Sequence, residues 1–232
     1  MILKAEQLTA SYGASQILFG INIQLARAET VCILGRNGVG KTTTLKTIMG
    51  IVKPLSGHVK FNGAEIGGVP PYKISRLGIA YVPQGRHIFP NLTTKENLLI
   101  SARKSDHSAT EWTIQRIYDL FPVLKNRENS KGRSLSGGEQ QMLCIARGLM
   151  QNPKILLMDE IFEGLAPIII RELLEVVQQL KKSGVSILLA EQGVKSAMEI
   201  GSRCYILEKG QVVYGGSTAE LSQEVILKYL GT

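Results

Sequence analysis

The chain of 232 residues has few of the side chains that cross-link small proteins or bind structural metals. It contains three cysteines and three histidines. Cys32, Cys144 and Cys204 are odd in number and far apart, which excludes a disulfide framework and gives no zinc-ligand spacing. The sequence therefore predicts a reducing, cytoplasmic compartment and no metal site made only of protein side chains.

Long apolar runs are also missing. None approaches the roughly 18 residues of a membrane span, so any role at a membrane is expected to be performed from its surface or through partner subunits. The formal net charge is +8, but lysine and arginine are scattered along the chain. A solvated mixed surface is therefore favoured over a basic face for nucleic acid or anionic lipid.

Four short runs are apolar throughout, which predicts strands buried on both faces. Such strands belong to a parallel sheet with helices on each side. The runs are Val31–Leu34, Ile79–Val82, Ile155–Met158 and Ile187–Ala190. Near the N-terminus, Ile21, Ile23 and Leu25 alternate with polar residues, which predicts half-buried antiparallel strands. The expected fold class is α/β with an antiparallel β flank.

Between Phe89 and Met150 the pattern becomes helical. Residues 93–96, 108–111 and 136–139 each place a Ser or Thr three positions before a Glu, the pattern of a helix capping box. This stretch predicts a helical subdomain inserted into the α/β core. The same pattern at residues 217–220 predicts the start of a last helix.

Residues 35–42 fit the G-x-x-x-x-G-K-[ST] pattern, directly after the first buried strand and before a helical stretch. Glycines let backbone amides turn inward around phosphate oxygens, and the helix N-terminus adds partial positive charge. Lys41 adds a full charge for the β- and γ-phosphates, and the Thr42 hydroxyl can ligate Mg²⁺. The sequence therefore predicts a P-loop NTPase core. The expected nucleotide-binding residues here are Gly35, Asn37, Gly38, Gly40, Lys41, Thr42 and Thr43.

Two adjacent acids end another buried strand, at the sheet edge where open parallel sheets bind ligands. Asp159 is the candidate for holding Mg²⁺, and Glu160 is the candidate general base that polarises the attacking water. A strand-end acid pair alone is often a solvated turn. The P-loop in the same chain favours the catalytic interpretation.

Residues 135–140, Leu-Ser-Gly-Gly-Glu-Gln, resemble the signature sequence of the ATP-binding cassette (ABC) family. The resemblance covers nearly the whole chain. It implies a head-to-tail dimer in which Ser136, Gly137 and Gly138 close over the γ-phosphate of ATP held by the partner's P-loop. By the same resemblance, Tyr12 stacks on adenine, and Gln84 senses Mg²⁺ and the water.

The resemblance also implies an organisation and a set of partners. Residues 1–232 would form one nucleotide-binding domain, with the core and β flank in about 1–84 and 151–232 and the helical subdomain in about 85–150. The expected partners are ATP, membrane-spanning permease subunits, a second copy or a sister ATPase and, indirectly, a solute-binding protein, but no nucleic acid. The expected location is the cytoplasmic face of the cell membrane.

Three positions depart from the family pattern. Ile161 and Phe162 replace the usual proline and Ser or Thr after the acid pair, and Gln192 stands where most relatives have a histidine that contacts the γ-phosphate. Glutamine can donate a hydrogen bond but cannot carry a proton. Glu160 therefore remains the main candidate for the base. Lys41, Gln84 and Gln192 are the other expected catalytic residues.

Gln192 points to a subfamily, together with residues 85–90, 164–167 and 229–231. These resemble the second ATPase of branched-chain amino acid importers, with urea and short-chain amide importers close behind. Two other classes stay open: a soluble non-transport ABC ATPase, such as an iron–sulfur assembly type, and a module in which ATP only switches dimerisation. The transported solute lies outside what the sequence specifies, because other subunits contact it.

Overall fold

Two β-sheets form the framework of the chain, whose computed structural model describes residues 1–104 and 111–231. One sheet has four strands and the other has six. In chain order the strands are β1 Leu3–Tyr12, β2 Ser15–Leu25, β3 Thr30–Leu34, β4 Pro54–Phe61, β5 Ala64–Glu65, β6 Ile79–Val82, β7 Ile155–Asp159, β8 Ser186–Glu191, β9 Arg203–Glu208 and β10 Gln211–Ser217.

The helices lie between these strands and are mostly short. They are α1 Lys41–Ile48, α2 Pro71–Leu77, α3 Thr94–Leu99, α4 Ile114–Leu120, α5 Pro122–Asn126, α6 Gly137–Leu149, α7 Pro167–Lys182, α8 Val194–Ile200 and α9 Gln223–Tyr229. Within the two described ranges, no helix combines the length and the apolar character needed to cross a lipid bilayer.

The six-stranded sheet has the order β10-β9-β3-β8-β7-β6 and contains the predicted parallel core, with β10 antiparallel to β9 at one edge. The four continuously apolar runs pair in parallel as β3, β8, β7 and β6. Along β3, Val31 and Ile33 join one buried cluster, and Cys32 and Leu34 join the other. Burial on both faces is what their unbroken apolar character predicts, so the α/β fold class is confirmed.

The antiparallel flank is the four-stranded sheet, in the order β2-β1-β4-β5. Ile21, Ile23 and Leu25 are fully buried on one face of β2, whereas Asn22 between them is exposed. Their cluster also contains Leu45 of α1, so this sheet covers one side of the core. The alternation predicted for this strand is confirmed.

The stretch between the two halves of the core is helical, as predicted, and contains α3 to α6. The capping boxes Thr93–Glu96 and Ser136–Glu139 are both formed. The box predicted at 108–111 involves residues outside the described ranges. In the described part, α4 begins at Ile114 with Thr113 as its cap.

The predicted start of the last helix was wrong. Residues Thr218–Glu220 form one 3₁₀ turn, in which Ser217 Oγ accepts the Ala219 amide at 3.2 Å. Buried Thr218 donates its hydroxyl to the Gly201 carbonyl at 2.7 Å, which holds this turn on the preceding loop. The helix begins five residues later, after Ser222, because tertiary contacts outweigh the local capping pattern.

One buried amide fixes the loop that follows residue 84. Asn97 on α3 is fully buried, and its Nδ2 donates to the carbonyls of Phe89, Leu92 and Thr93. Its Oδ1 accepts the Phe89 amide at 2.9 Å. A single side chain thus hydrogen-bonds with four backbone groups of this loop.

We expect Asn97→Ala to lower the free energy of unfolding by about 3 kcal/mol, because a fully buried side chain and its hydrogen bonds to the loop backbone are lost. Asn91→Ala is the matched control, since Asn91 is exposed in the same loop. Urea unfolding of both variants measures the difference. Equal stability of the two would contradict the role assigned to Asn97.

Candidate functional site

The carboxyl ends of four parallel strands bring the predicted residues to one edge of the sheet. Residues 35–42 follow β3, Gln84 follows β6, Asp159 and Glu160 end and follow β7, and Gln192 follows β8. This is the edge at which open parallel sheets bind ligands. The structure therefore brings together residues that lie between positions 35 and 192 of the sequence.

The glycine-rich turn after β3 leaves open space where a nucleotide's phosphates are expected. Gly38 has φ +79, and a Cβ added there would meet no atom within 4 Å. Gly40 has φ +110, and a Cβ there would lie 2.8 Å from Leu18 Cδ2. The first glycine keeps the cradle empty, whereas the second allows close packing under the turn.

A buried ion pair joins the turn to the acid pair. Lys41 Nζ lies 2.9 Å from Glu160 Oε1, with side-chain exposures of 3% and 6%. The same Nζ donates to the carbonyls of Gly35 at 2.9 Å and Arg36 at 3.1 Å. All three ammonium hydrogens have partners, so an incoming phosphate oxygen has to replace one of them.

Asp159 is fully buried between two hydroxyl groups. Thr42 Oγ1 donates to its Oδ1 at 3.0 Å, and the Tyr81 hydroxyl donates to its Oδ2 at 2.8 Å. Burial raises the pKa of Asp159, while the hydrogen bonds from Tyr81 and Thr42 lower it. Burial, together with the Asp159 carboxylate, also raises the pKa of Tyr81 well above its ordinary value, so the phenol stays a donor.

Glu160 is held in a backbone conformation that favours glycine, with φ +48. Its amide donates to the Ala190 carbonyl of β8 at 2.9 Å, which extends the pairing past the end of β7. Such strain in a non-glycine residue is typical of functional sites. Gln84 Nε2 donates to Glu160 Oε2 at 2.9 Å and to Glu163 Oε2 at 2.7 Å.

Several of these groups line a cavity of about 390 Å³, whereas Gly35 and Asp159 are not among its lining residues. Its lining consists of Tyr12, Ile17, Asn37, Gly38, Gly40, Lys41, Thr42, Thr43, Gln84 and Glu160. Tyr12 is 49% exposed at the end of β1, so its ring is available for stacking. Ser136, Gly137, Gly138 and Gln192 are not among the described residues that line it.

The residues present fit a nucleotide with Mg²⁺. The Thr42 hydroxyl and the Asp159 carboxylate are oxygen donors of the kind Mg²⁺ prefers, and they already contact each other. Within the described ranges no group of three or more metal-ligating His, Cys, Asp or Glu side chains occurs. A magnesium ion here would complete its shell with phosphate oxygens and water.

Two functional neighbours of the site were missed by sequence reasoning. The first is Tyr81, whose only signal was one polar group inside an apolar run. The second is Glu191, a buried carboxyl to which the amides of Ile161, Phe162 and Gln192 donate. The Phe162 amide lies 3.3 Å from its Oε1.

Phe162 itself packs into the core cluster and is 7% exposed. This explains why a large apolar side chain is tolerated directly after Glu160 and Ile161. The side chain belongs to the core of this subunit.

Comparison with known proteins decides the family. The family model described as ABC transporter matches residues 18–163. The chain belongs to the ABC transporter family. It is an ABC ATPase, which binds ATP with Mg²⁺ and couples ATP hydrolysis to transport.

Curated relatives of this ABC ATPase match along nearly its whole length. The branched-chain amino acid transport ATP-binding protein BraG of Pseudomonas aeruginosa is 38% identical over 99% of this chain and 100% of the relative. LivF of Archaeoglobus fulgidus, described as a probable branched-chain amino acid transport ATP-binding protein, is 38% identical over 95% of this chain and 94% of the relative. The lipopolysaccharide export protein LptB of Escherichia coli is 32% identical over 99% and 97%.

Solved structures support the fold of the ABC ATPase. A nucleotide-free ATP-binding cassette from an ABC transporter has a TM-score of 0.83 at 25% identity, over 100% of this chain and 95% of that chain. A dimeric bacterial ABC transporter cassette has a TM-score of 0.79 at 25% identity, over 93% and 98%. The sequence's resemblance and fold class are both confirmed.

The buried carboxyl beside this site predicts a pH-dependent stability. Burial is the main cause that raises the pKa of Glu191 from its ordinary 4.5 to about 7. The folded state therefore binds the Glu191 proton more tightly than the unfolded state does. The protonated carboxyl contributes its full stability below pH 4.5, and this contribution is lost as the pH rises through 7. At neutral pH the loss is about 3 kcal/mol.

We expect Glu191→Gln to remove this loss, so that its stability exceeds that of the wild type at pH 7.5 but not at pH 4.5. Urea unfolding at both pH values measures the effect. Glu199→Gln, at an exposed position on α8, is the control for a change in charge. Parallel pH profiles for wild type and Glu191→Gln would rule out the buried titration.

Proposed function

We propose that this ABC ATPase is the cytoplasmic, ATP-hydrolysing subunit of an importer of branched-chain amino acids. The observation that carries the proposal is the 38% identity to BraG and LivF over nearly complete chains, against 32% to LptB. The chain would act on membrane-spanning permease subunits, and indirectly with a solute-binding protein. The helical subdomain in about 85–150 would dock on those permeases.

Within the site, each side chain has a role that follows from its position. Lys41 binds the β- and γ-phosphates, and Tyr12 stacks on adenine. Thr42 and Asp159 would hold Mg²⁺, with Gln84 as a further candidate ligand, and the bound ion would neutralise charge on the phosphate oxygens. The amides of residues 37–43 bind the remaining phosphate oxygens.

Glu160 acts as the general base for the attacking water. In the described structure its Oε1 is neutralised by Lys41, and its Oε2 accepts from Gln84. Transfer of Lys41 to the phosphates frees Oε1 to accept a water proton, while Gln84 keeps the carboxylate oriented. The ion pair therefore restrains the base until the lysine has another anion to bind.

A second subunit completes the site in this proposal. Ser136, Gly137 and Gly138 lie at the start of α6, away from the lining of their own subunit's cavity. In a head-to-tail pair they would cover the γ-phosphate in the partner's cavity, with the helix N-terminus facing the charge. Gln192 is exposed at the same edge and would donate one hydrogen bond without exchanging a proton.

We expect Glu160→Gln to keep ATP binding, to abolish turnover and to stabilise an ATP-bound dimer. The amide keeps the shape of the side chain but cannot accept the water proton. Phosphate release and size-exclusion chromatography measure the two effects, with exposed Glu199→Gln as the control. Normal turnover in Glu160→Gln would exclude this residue as the base.

The transport proposal is tested by solute uptake. We expect cells that lack this chain to lose uptake of labelled leucine, and wild-type protein to restore it. Lys41→Ala should fail to restore it, because the phosphate contact is lost. Loss of urea or acetamide uptake instead would favour the related amide importers, and a lipopolysaccharide export defect would favour the LptB-like function. Absence from purified membranes would favour a non-transport ATPase.

A further inference from the structure

Arg86, two residues after Gln84, has an unusual backbone conformation. Its φ is +54, and that of the preceding Gly85 is +95. This left-handed region favours glycine and is unfavourable for a residue with a Cβ such as arginine. The contacts of Arg86 must therefore stabilise this strained conformation, and they indicate which role the residue has.

The guanidinium of Arg86 bridges two segments that the sequence keeps apart. Its Nη2 donates to the Glu163 carbonyl at 3.3 Å and to the Gly164 carbonyl at 3.0 Å. Its Nη1 rests against the start of α6, where a Cβ added to Gly137 would lie 2.5 Å away. One side chain thus connects the loop after Glu160 to the first turn of the signature helix.

The neighbouring Gln84 strengthens this connection. Its amide binds the Glu163 carboxylate, so the two side chains hold both the backbone and the side chain of that residue. Arg86 is half-buried and carries a permanent charge, which makes its hydrogen bonds to the carbonyls stronger than neutral ones. The loop at 163–164, although exposed, is tied down at three points.

We propose that Arg86 is a positioning residue that locks the 163–164 loop to the start of α6. The inference rests on the head-to-tail pairing proposed above. In that pair the loop adjoins the subunit's own Glu160, while the start of α6 faces the partner's cavity. A rigid link keeps the loop and the start of α6 in a fixed relative position before the partner binds. Less conformational entropy is then lost when the dimer closes.

The experiment measures ATP-driven dimerisation in full-length chains that carry Glu160→Gln. To this background we add Arg86→Gly, Arg86→Lys or Arg27→Ala. Glycine adopts φ +54 without strain, so Arg86→Gly removes the guanidinium without penalising the backbone. Arg27 lies in an exposed turn beside Asn62, and its replacement is the control for losing one positive charge.

We expect Arg86→Gly to weaken dimerisation by about tenfold or more, as the loss of charge-assisted hydrogen bonds predicts. Arg86→Lys should recover only part of this, because an ammonium lacks the planar fork. ADP binding to the single subunit should stay unchanged, which general structural damage would not allow. Arg27→Ala should dimerise like its background.

Equal dimerisation with and without Arg86→Gly would overturn the role of Arg86 and leave the proposed function standing. A parallel loss of ADP affinity would also overturn it, since the defect would then be one of folding. If the Glu160→Gln background itself stays monomeric with ATP, head-to-tail pairing of two copies fails, and the positioning role in that pair fails with it.

Discussion

The buried ion pair between Lys41 and Glu160 is the constraint on which the site depends. Removing two charges from water costs free energy that their attraction alone does not reliably return, so such a pair is a poor source of stability. Here the cost is offset by the Gly35 and Arg36 carbonyls on the lysine and by Gln84 on the glutamate. The pair keeps both side chains in place, ready for a ligand that separates them.

The order of the strands in the sheet brings Lys41 and Glu160 together. Lys41 starts the helix after β3, and Glu160 follows β7, with β8 between the two strands. Because β8 also supplies the Ala190 carbonyl to the Glu160 amide, its register sets the strained backbone of the base. The geometry of the site at the sheet edge therefore depends on the strand order and on the core packing that holds the strands in place.

Much of this arrangement could be predicted from the sequence, because its signals are local. Unbroken apolar runs predict parallel strands, and the spacing of residues 35–42 predicts a phosphate cradle. Tyr81, Arg86 and Glu191 could not be recognised in this way, since their roles come from contacts with residues far away in sequence. The last helix was misplaced for the same reason: Thr218 bonds to the Gly201 carbonyl, a contact that no capping pattern contains.

The central claim is that one subunit holds only part of a working ATPase site. The most direct test is the rate of Mg²⁺-ATP hydrolysis per subunit as a function of protein concentration. Light scattering would define the range in which the nucleotide-free chain is monomeric. The account predicts that the rate per subunit rises with concentration across this range, because two copies must meet. A constant, non-zero rate per subunit across the same range would contradict it.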